Sequence, residues 1–351
     1  MVNLKKIFSS KELITIGHLA SLSGDYDYYG EWEKEGVDLA VEEINKKGGI
    51  NGQKILIARE DDRADSDKSA LALSKLIFAD KVQAVVGAIS SEALLADTPI
   101  AEKNKVVLMA PLAGTTKITA GDYTFRLYPS NFQQGEKLAA AVAAAGHKNA
   151  AIIYINNEYG LDLAKAVRGA AGQNGIAISI VEGYRAETID FKEQLARIKE
   201  KNPEAIFLLS YPKDMGIILK QAKEEGAAAK FFAPDTFVDP GVIGSPKKIT
   251  EGIVYIMPEE DLADDFVKKF KKKYNKIPNV FNALNYDALN LLAQAIARGG
   301  NNGPAIKAEL LKIKDYQGAS GSINFDENGN AINRPLTLKT MKEGKPVDCR
   351  E

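Results

Sequence analysis

Two hydrophobic periods alternate along almost the whole of this chain, and that alternation constrains its fold more than any other feature. Short apolar runs suited to buried strands occur at Leu13–Leu19, Lys54–Arg59, Ala84–Ile89 and Val106–Ala110. Helical spacing fills the gaps. Within Glu31–Lys47, the residues Val37, Ala40, Val41 and Ile44 fall at i, i+3, i+4 and i+7. Ala70, Leu73, Ser74 and Ile77 mark a second helix, and Glu92–Lys103 reads as a third. Lys46 and Lys47 suit the negative end of the first helix, and Gly48-Gly49 suits its termination. Asp67 is a candidate cap for the second helix. A second series follows from Asn131: helices at Phe132–Ala145, Leu161–Gln173, Phe191–Lys201 and Asp214–Glu225, and strands at Asn149–Ile155, Ile176–Glu182, Ala205–Ser210, Lys230–Ala233 and Ile253–Met257. Asp264–Tyr274 is helical, and Leu284, Ala288, Leu291 and Ala295 mark one more helix. Asp326-Glu327-Asn328-Gly329 reads as a hairpin turn between Ser322–Phe325 and Pro335–Leu338. Alternating β and α units predict an α/β protein with parallel sheets and helices on both faces, in two lobes with boundaries near Pro129 and Pro258.

Composition excludes several function classes. A length of 351 residues corresponds to roughly two domains at ~150 residues each. The charge is balanced, 46 basic against 47 acidic residues, which argues against a globally basic nucleic-acid binder. The single cysteine, Cys349, excludes an intrachain disulfide and a Cys-paired zinc motif, and two histidines, His18 and His147, exclude a multi-histidine metal site. No cofactor is expected. The phosphate-loop, dinucleotide and nucleophile-elbow signatures are absent. The acidic run from Asp61 to Asp67 lacks the glycine and glutamate of a calcium loop and reads as a helix start. His18 lies inside the first strand run and reads as a packed histidine. The opening Met1–Glu12 carries a basic pair but no apolar run behind it. The chain is thus either cytoplasmic or a form whose export signal has been removed.

In open α/β sheets, ligands bind beyond the carboxyl ends of the strands. The residues in those places are Ser21-Leu22-Ser23-Gly24 with Tyr26, Tyr28, Tyr29 and Trp32; Ser90-Ser91; Pro111-Leu112-Ala113-Gly114-Thr115-Thr116; Asn156-Asn157-Glu158-Tyr159-Gly160; Tyr211-Pro212; and Pro234-Asp235-Thr236. Hydroxyl, aromatic and small residues with one carboxylate describe a small-molecule cleft and not a catalytic centre. Ser91 at a helix start suits a ligand carboxylate. Gly114, Thr115 and Thr116 permit close backbone approach and add hydroxyls. Asp235 suits an ammonium, Tyr159 and Tyr211 a phenolic or cation–π contact, and Tyr29 and Trp32 the side-chain end. Opposed charges of this kind suit an amino acid. Each residue also has an ordinary structural reading: Ser91 a helix cap, Trp32 a core residue, Asp235 a turn residue, the tyrosines core or edge.

Together these segments resemble the type I periplasmic solute-binding proteins, specifically the branched-chain amino-acid binding family of ABC transporters. The resemblance runs from about Ile14 to Asp326. It rests on Leu22-Ser23-Gly24 with Tyr29-Gly30, Gly36–Asn45, Gly48–Gly52, Asp61-Asp62, Pro99–Glu102, Phe125-Arg126, Gln134-Gly135, Asn157–Gly160, Gln221-Ala222, Glu251-Gly252 and Tyr286-Asp287-Ala288. It implies two Rossmann-like lobes joined by a three-segment hinge, residues 12–130 with 259–333 and residues 131–258 with 334–351, and a ligand held between them by hinge closure. It also implies roles: Ser91 and the loop of Leu112, Ala113, Gly114 and Thr115 for the carboxylate and part of the amine, Asp235 and Tyr211 for the ammonium, Tyr29 and Tyr159 for pocket shape. Two departures from the family pattern stand out. Ala113-Gly114 replaces a common Ala-Thr, and Asp235 replaces a common glutamate. The expected protein is a monomeric, periplasmic or cell-surface receptor that catalyses nothing and docks on a membrane permease. The alternative is a cytoplasmic sensor of the same fold acting through a partner protein.

Overall fold

The computed structural model describes residues 13–118, 123–238, 242, 247–332 and 334–349; the opening segment weighed above as a leader lies outside them. The chain begins β1 (Leu13–Ala20), α1 (Asp27–Lys46), β2 (Lys54–Asp61), α2 (Ser66–Phe78), β3 (Ala84–Val86), α3 (Ser91–Asn104), β4 (Val107–Ala110) and β5 (Thr124–Arg126). It continues through α4 (Asn131–Ala144), β6 (Asn149–Ile155), α5 (Glu158–Gln173), β7 (Ala177–Tyr184), α6 (Lys192–Glu200), β8 (Ala205–Leu209), α7 (Pro212–Glu224), β9 (Lys230–Ala233), a 3-10 turn at Asp235–Val238, α8 (Lys247–Thr250) and β10 (Val254–Pro258). Last come α9 (Asp264–Tyr274), α10 (Val280–Gly299), α11 (Gly303–Leu310), β11 (Tyr316–Gly318), β12 (Gly321–Phe325), β13 (Ala331–Ile332), β14 (Leu336–Lys342) and β15 (Lys345–Asp348).

These elements form two compact units. The first takes in the described residues up to Tyr128 together with Glu260–Arg334; the second takes in Pro129–Glu259 and the described residues from Pro335 on. The chain therefore passes between units three times, at 128/129, 259/260 and 334/335. The first unit carries a five-stranded parallel sheet in the order β2-β1-β3-β4-β5. β1 and β2 run in register from Leu13↔Lys54 to Ala20↔Asp61, which brings Ser21 and Asp62 side by side past their ends. Leu19, Leu73, Leu76, Val85, Leu94 and Leu108 make the core beneath α2 and α3. Leu39, Phe266, Phe270 and Ala283 close a smaller core where α1, α9 and α10 meet. The second unit carries a seven-stranded sheet in the order β15-β14-β10-β9-β8-β6-β7, parallel from β10 to β7 and antiparallel at β14 and β15. β8, Ala-Ile-Phe-Leu-Leu, is buried throughout, as a central parallel strand must be. β7 lies at the edge and alternates exposed and half-buried residues over most of its length.

Several local expectations need correction. The Asp326–Gly329 turn does return the chain, with the Asp326 carboxylate accepting the N–H groups of Asn328 and Asn330. However, β12 pairs with Ala331–Ile332. The strand expected at Pro335–Leu338 is β14, which pairs antiparallel with β10 in the second unit. The cap of α2 is Asp65, not Asp67: its carboxylate accepts the Lys68 N–H at 2.9 Å. The first helix starts at Asp27 and not at Glu31, so α1 carries Tyr29 as well as Trp32 in its first two turns.

Candidate functional site

Within each unit the chain order creates a switch point. β1 leads to β2 on one side and β3 lies on the other; β6 leads to β7 on one side and β8 lies on the other. The crevice at such a reversal is where open α/β sheets take ligands.

In the first unit the segment after β1 is fastened from below by carboxylates. The Ser21 hydroxyl donates to Asp62 Oδ1 at 2.7 Å, the Ser21 N–H to Glu33 Oε2 at 3.3 Å, and the Leu22 N–H and Ser23 hydroxyl to Asp61. Glu33, Asp62 and Asp97 are fully buried. Burial holds the Glu33 carboxyl well above its ordinary range, with Asp62 adding to the effect. Burial likewise raises Asp62, and it pushes Asp97 up to about 7 against the opposing Ser69 hydrogen bond. His18 is a packed histidine: Arg59 Nε donates to its Nδ1 at 2.8 Å, and burial, with Arg59 beside it, holds its pKa well below the usual value.

Ser91 is buried in the first turn of α3, but it is not the cap. Ser90 is, accepting the Ala93 N–H at 3.1 Å. Ser91 therefore stands at a helix start without serving as its cap. Leu112, Ala113, Gly114 and Thr115 follow β4 and are all buried. The Thr115 oxygen accepts the Lys117 N–H at 3.2 Å. Beneath this loop lies a cation to which residue typing assigned no role: the buried Arg126, at the end of β5, donates from Nη1 to Thr115 O at 2.5 Å and to Gly114 O at 3.3 Å. The rings of Tyr29 and Trp32 join an aromatic cluster. Trp32 stacks on Phe281 of α10 at 5.5 Å and 10°, Tyr29 meets both edge-on, and Tyr128 also stacks on Phe281, at 6.4 Å and 24°. Trp32 is half-buried and Tyr29 buried.

In the second unit, three predicted residues follow three neighbouring strands. Tyr159 lies in the first turn of α5 after β6, Tyr211 is the residue before α7 after β8, and Asp235 opens the 3-10 turn after β9. The Tyr159 and Tyr211 rings stack at 5.1 Å and 13° across the switch point. The Thr236 hydroxyl donates to Ser210 O at 2.9 Å, which ties the residue after Asp235 to the residue before Tyr211. The Tyr184 hydroxyl at the end of β7 bonds Ser210 Oγ and donates to Asp214 Oδ2 at 3.2 Å, fixing the start of α7 from below.

The two units share a device. Tyr29 precedes Gly30, and Tyr159 precedes Gly160, each in the first turn of a helix. A Cβ on Gly30 would lie 2.0 Å from Ser21 O; one on Gly160 would lie 1.9 Å from Ile155 O. Each glycine lets a helix start press on the backbone leaving a strand, and the tyrosine before it is thereby set at the strand end. A surface groove of about 450 Å³, lined by Lys223, Ala229, Lys230 and Gly252 among others, lies instead at the amino ends of β9 and β10, away from every predicted site residue.

Two α/β units crossed three times by the chain, each with polar and aromatic side chains at its strand carboxyl ends, are the architecture of a solute-binding protein. The chain belongs to the periplasmic binding protein family, whose model matches residues 13–346. It is similar to the leucine-, isoleucine-, valine-, threonine- and alanine-binding protein of Pseudomonas aeruginosa, 27% identical over 334 residues that cover 93% of this chain and 89% of that protein. Among solved structures it is similar to a leucine-binding protein of Thermotoga maritima (TM-score 0.88, 28% identity, 95% of this chain and 97% of that one). It is also similar to the branched-chain amino-acid transporter substrate-binding protein of Streptococcus pneumoniae in complex with isoleucine (TM-score 0.86, 29% identity, 95% and 97%).

Proposed function

We propose that this chain is the solute-binding component of an ABC importer, a monomer that takes an amino acid, branched-chain or related, outside the cytoplasm and delivers it to a membrane permease. The observation that carries the reading is the opposite chemistry of the two switch points. In the first unit, Ser91 and the Leu112–Thr115 loop, backed by the buried Arg126 guanidinium, suit a carboxylate. In the second unit, the buried Asp235 carboxylate and the Tyr159–Tyr211 stack suit an ammonium. A zwitterion satisfies both, and only when both units engage it. The ligand therefore stabilises the closed arrangement by the contacts it adds there. Nothing in this chemistry calls for bond cleavage, and the ligand leaves unchanged.

Calorimetry of the purified chain against leucine, isoleucine, valine, threonine, alanine and the aromatic amino acids tests the proposal. One or a few members of the panel are expected to bind tightly and to be recovered intact by mass spectrometry. No binding by any amino acid overturns the reading, and so does a chemically altered product.

A further inference from the structure

The motif Tyr286-Asp287-Ala288 has no part in the proposed ligand site, yet Asp287 is a fully buried carboxylate with an unusual set of partners. It projects from α10 against the loop between β11 and β12. Its Oδ1 accepts the Ala319 N–H at 2.7 Å; its Oδ2 accepts the Ser320 N–H at 2.8 Å and the Ser320 hydroxyl at 2.6 Å. A Cβ on Gly318 would lie 2.4 Å from Oδ2, so the loop is pressed onto the carboxylate. The same loop holds two other segments. Ala319 O accepts the Ala263 N–H at 3.0 Å. Ser320 O and Oγ accept the buried Arg334 Nη2 at 3.0 and 3.1 Å, and Ser322 O accepts Nη1 at 3.0 Å.

These residues stand where the chain leaves the first unit. Arg334 is the last residue before the third passage, and Ala263 lies just past the second. Tyr128, the last residue before the first passage, is within electrostatic reach of the Arg334 guanidinium. On the second-unit side, the Glu259 N–H donates to Pro335 O at 3.0 Å, extending the β10–β14 ladder to the second and third passages. Through the β11–β12 loop, one buried carboxylate is thus tied to the first-unit ends of the second and third connecting segments.

We propose that Asp287 is the positioning residue of the hinge: through Ser320 and Arg334 it holds the connecting segments in one geometry and so sets how readily the protein closes on its ligand. The closing step rests on the reading given under Proposed function. Neutralising Asp287 leaves buried donors without an acceptor and the buried Arg334 without its counter-charge, which loosens the ends that must pivot. The groups facing Asp287 are Arg334 and the phenols of Tyr286 and Tyr316. Burial raises its pKa to about 6, opposed by the Ser320 and Ala319 bonds and by Arg334. Protonation below that pH imitates the neutral variant.

The test compares the full chain with Asp287→Asn and Ser320→Ala by small-angle X-ray scattering without ligand and by L-leucine titration of the fluorescence of Trp32, the only tryptophan. Both variants are expected to broaden the distribution of sizes in scattering. Leucine affinity near neutral pH is expected to fall about tenfold in Asp287→Asn and about threefold in Ser320→Ala. The unchanged chain is expected to lose affinity below pH about 6, a step missing from Asp287→Asn. Folded variants that scatter as the unchanged chain does overturn the proposal, whether or not leucine binds. Failure of the unchanged chain to bind leucine counts against leucine as the ligand and leaves scattering to decide on the hinge. Should Asp287→Asn fail to fold, Ser320→Ala, which removes one hydroxyl, decides alone.

Discussion

The rings of Tyr159 and Tyr211 lie 5.1 Å apart and 13° from parallel, one carried by the helix after β6 and the other by the turn after β8. Sequence neighbours set each ring at its own strand end but do not bring the two together. The strand order, which sets β8 beside β6 and sends β7 to the other side, brings them face to face. A stacked pair contributes about 0.5–1.5 kcal/mol beyond its buried area, and an ammonium over such a face adds about as much again.

Tyr211→Ala should therefore weaken amino-acid binding by about 1–2 kcal/mol. Tyr211→Phe, which keeps the ring and drops the hydroxyl, should lose less than half of that. Calorimetry separates the two. An alanine variant with unchanged affinity would remove the stack from the binding site.

Asp235 is buried at the start of its 3-10 turn. Truncation to alanine takes away the charge partner proposed for the ligand ammonium. The expected loss is at least ~2 kcal/mol, with Asp235→Glu losing less because the charge survives. Equal losses in the two variants would mean that shape and not charge matters at this position.

The glycine after Tyr159 can be tested against a control on the same helix. Alanine is favoured over glycine inside a helix by about 1 kcal/mol. At Gly169 of α5 a Cβ would meet nothing within 4 Å, so Gly169→Ala should raise the melting temperature. At Gly160 the Cβ would sit 1.9 Å from Ile155 O. Gly160→Ala should lower the melting temperature despite the better helix propensity, and should weaken ligand binding because Tyr159 moves with it. Equal melting temperatures for the two variants would show that the helix start yields freely.

Asp97 predicts how stability depends on pH. Its carboxyl titrates at about 7 in the folded protein because of burial, while in an unfolded chain it would titrate near ~4. Between these values the folded state binds the proton more tightly than the unfolded state does, so stability falls as pH rises and the loss is complete above about 7. Asp97→Asn keeps an acceptor for the Ser69 hydroxyl, which now donates at 2.6 Å, and has no charge to bury. The variant should match the unchanged chain near pH 4 and be more stable near pH 8 by about 2–4 kcal/mol. Parallel stability curves across that range would contradict the assignment.

Much of the architecture was legible because it depends on local periods. Leu13–Leu19, Lys230–Ala233 and Asp264–Tyr274 match observed elements to within a residue. Each carries its burial pattern in its own few residues, whatever it packs against. An error fell where nearby residues were chemically equivalent: Asp65 against Asp67. A cap is chosen by backbone angles at the helix start, which residue type alone does not specify. The strand expected at Pro335–Leu338 was real, but its partner was not the strand before the turn, since pairing depends on which edge is open.

Sequence by itself determined the α/β class, the strand ends at which polar residues collect, and, through its resemblance to a family, the candidate binding residues. Tertiary structure alone decided the stacking of Tyr159 on Tyr211, the seating of Trp32 against Phe281, the support of the Gly114–Thr115 loop by Arg126, and the joining of Asp287 to Arg334 through Ser320. The physical reason is the same in each case. A strand or a helix is specified by contacts a few residues apart, whereas a buried charge or ring finds its partner across the fold, where chain separation carries no information about distance.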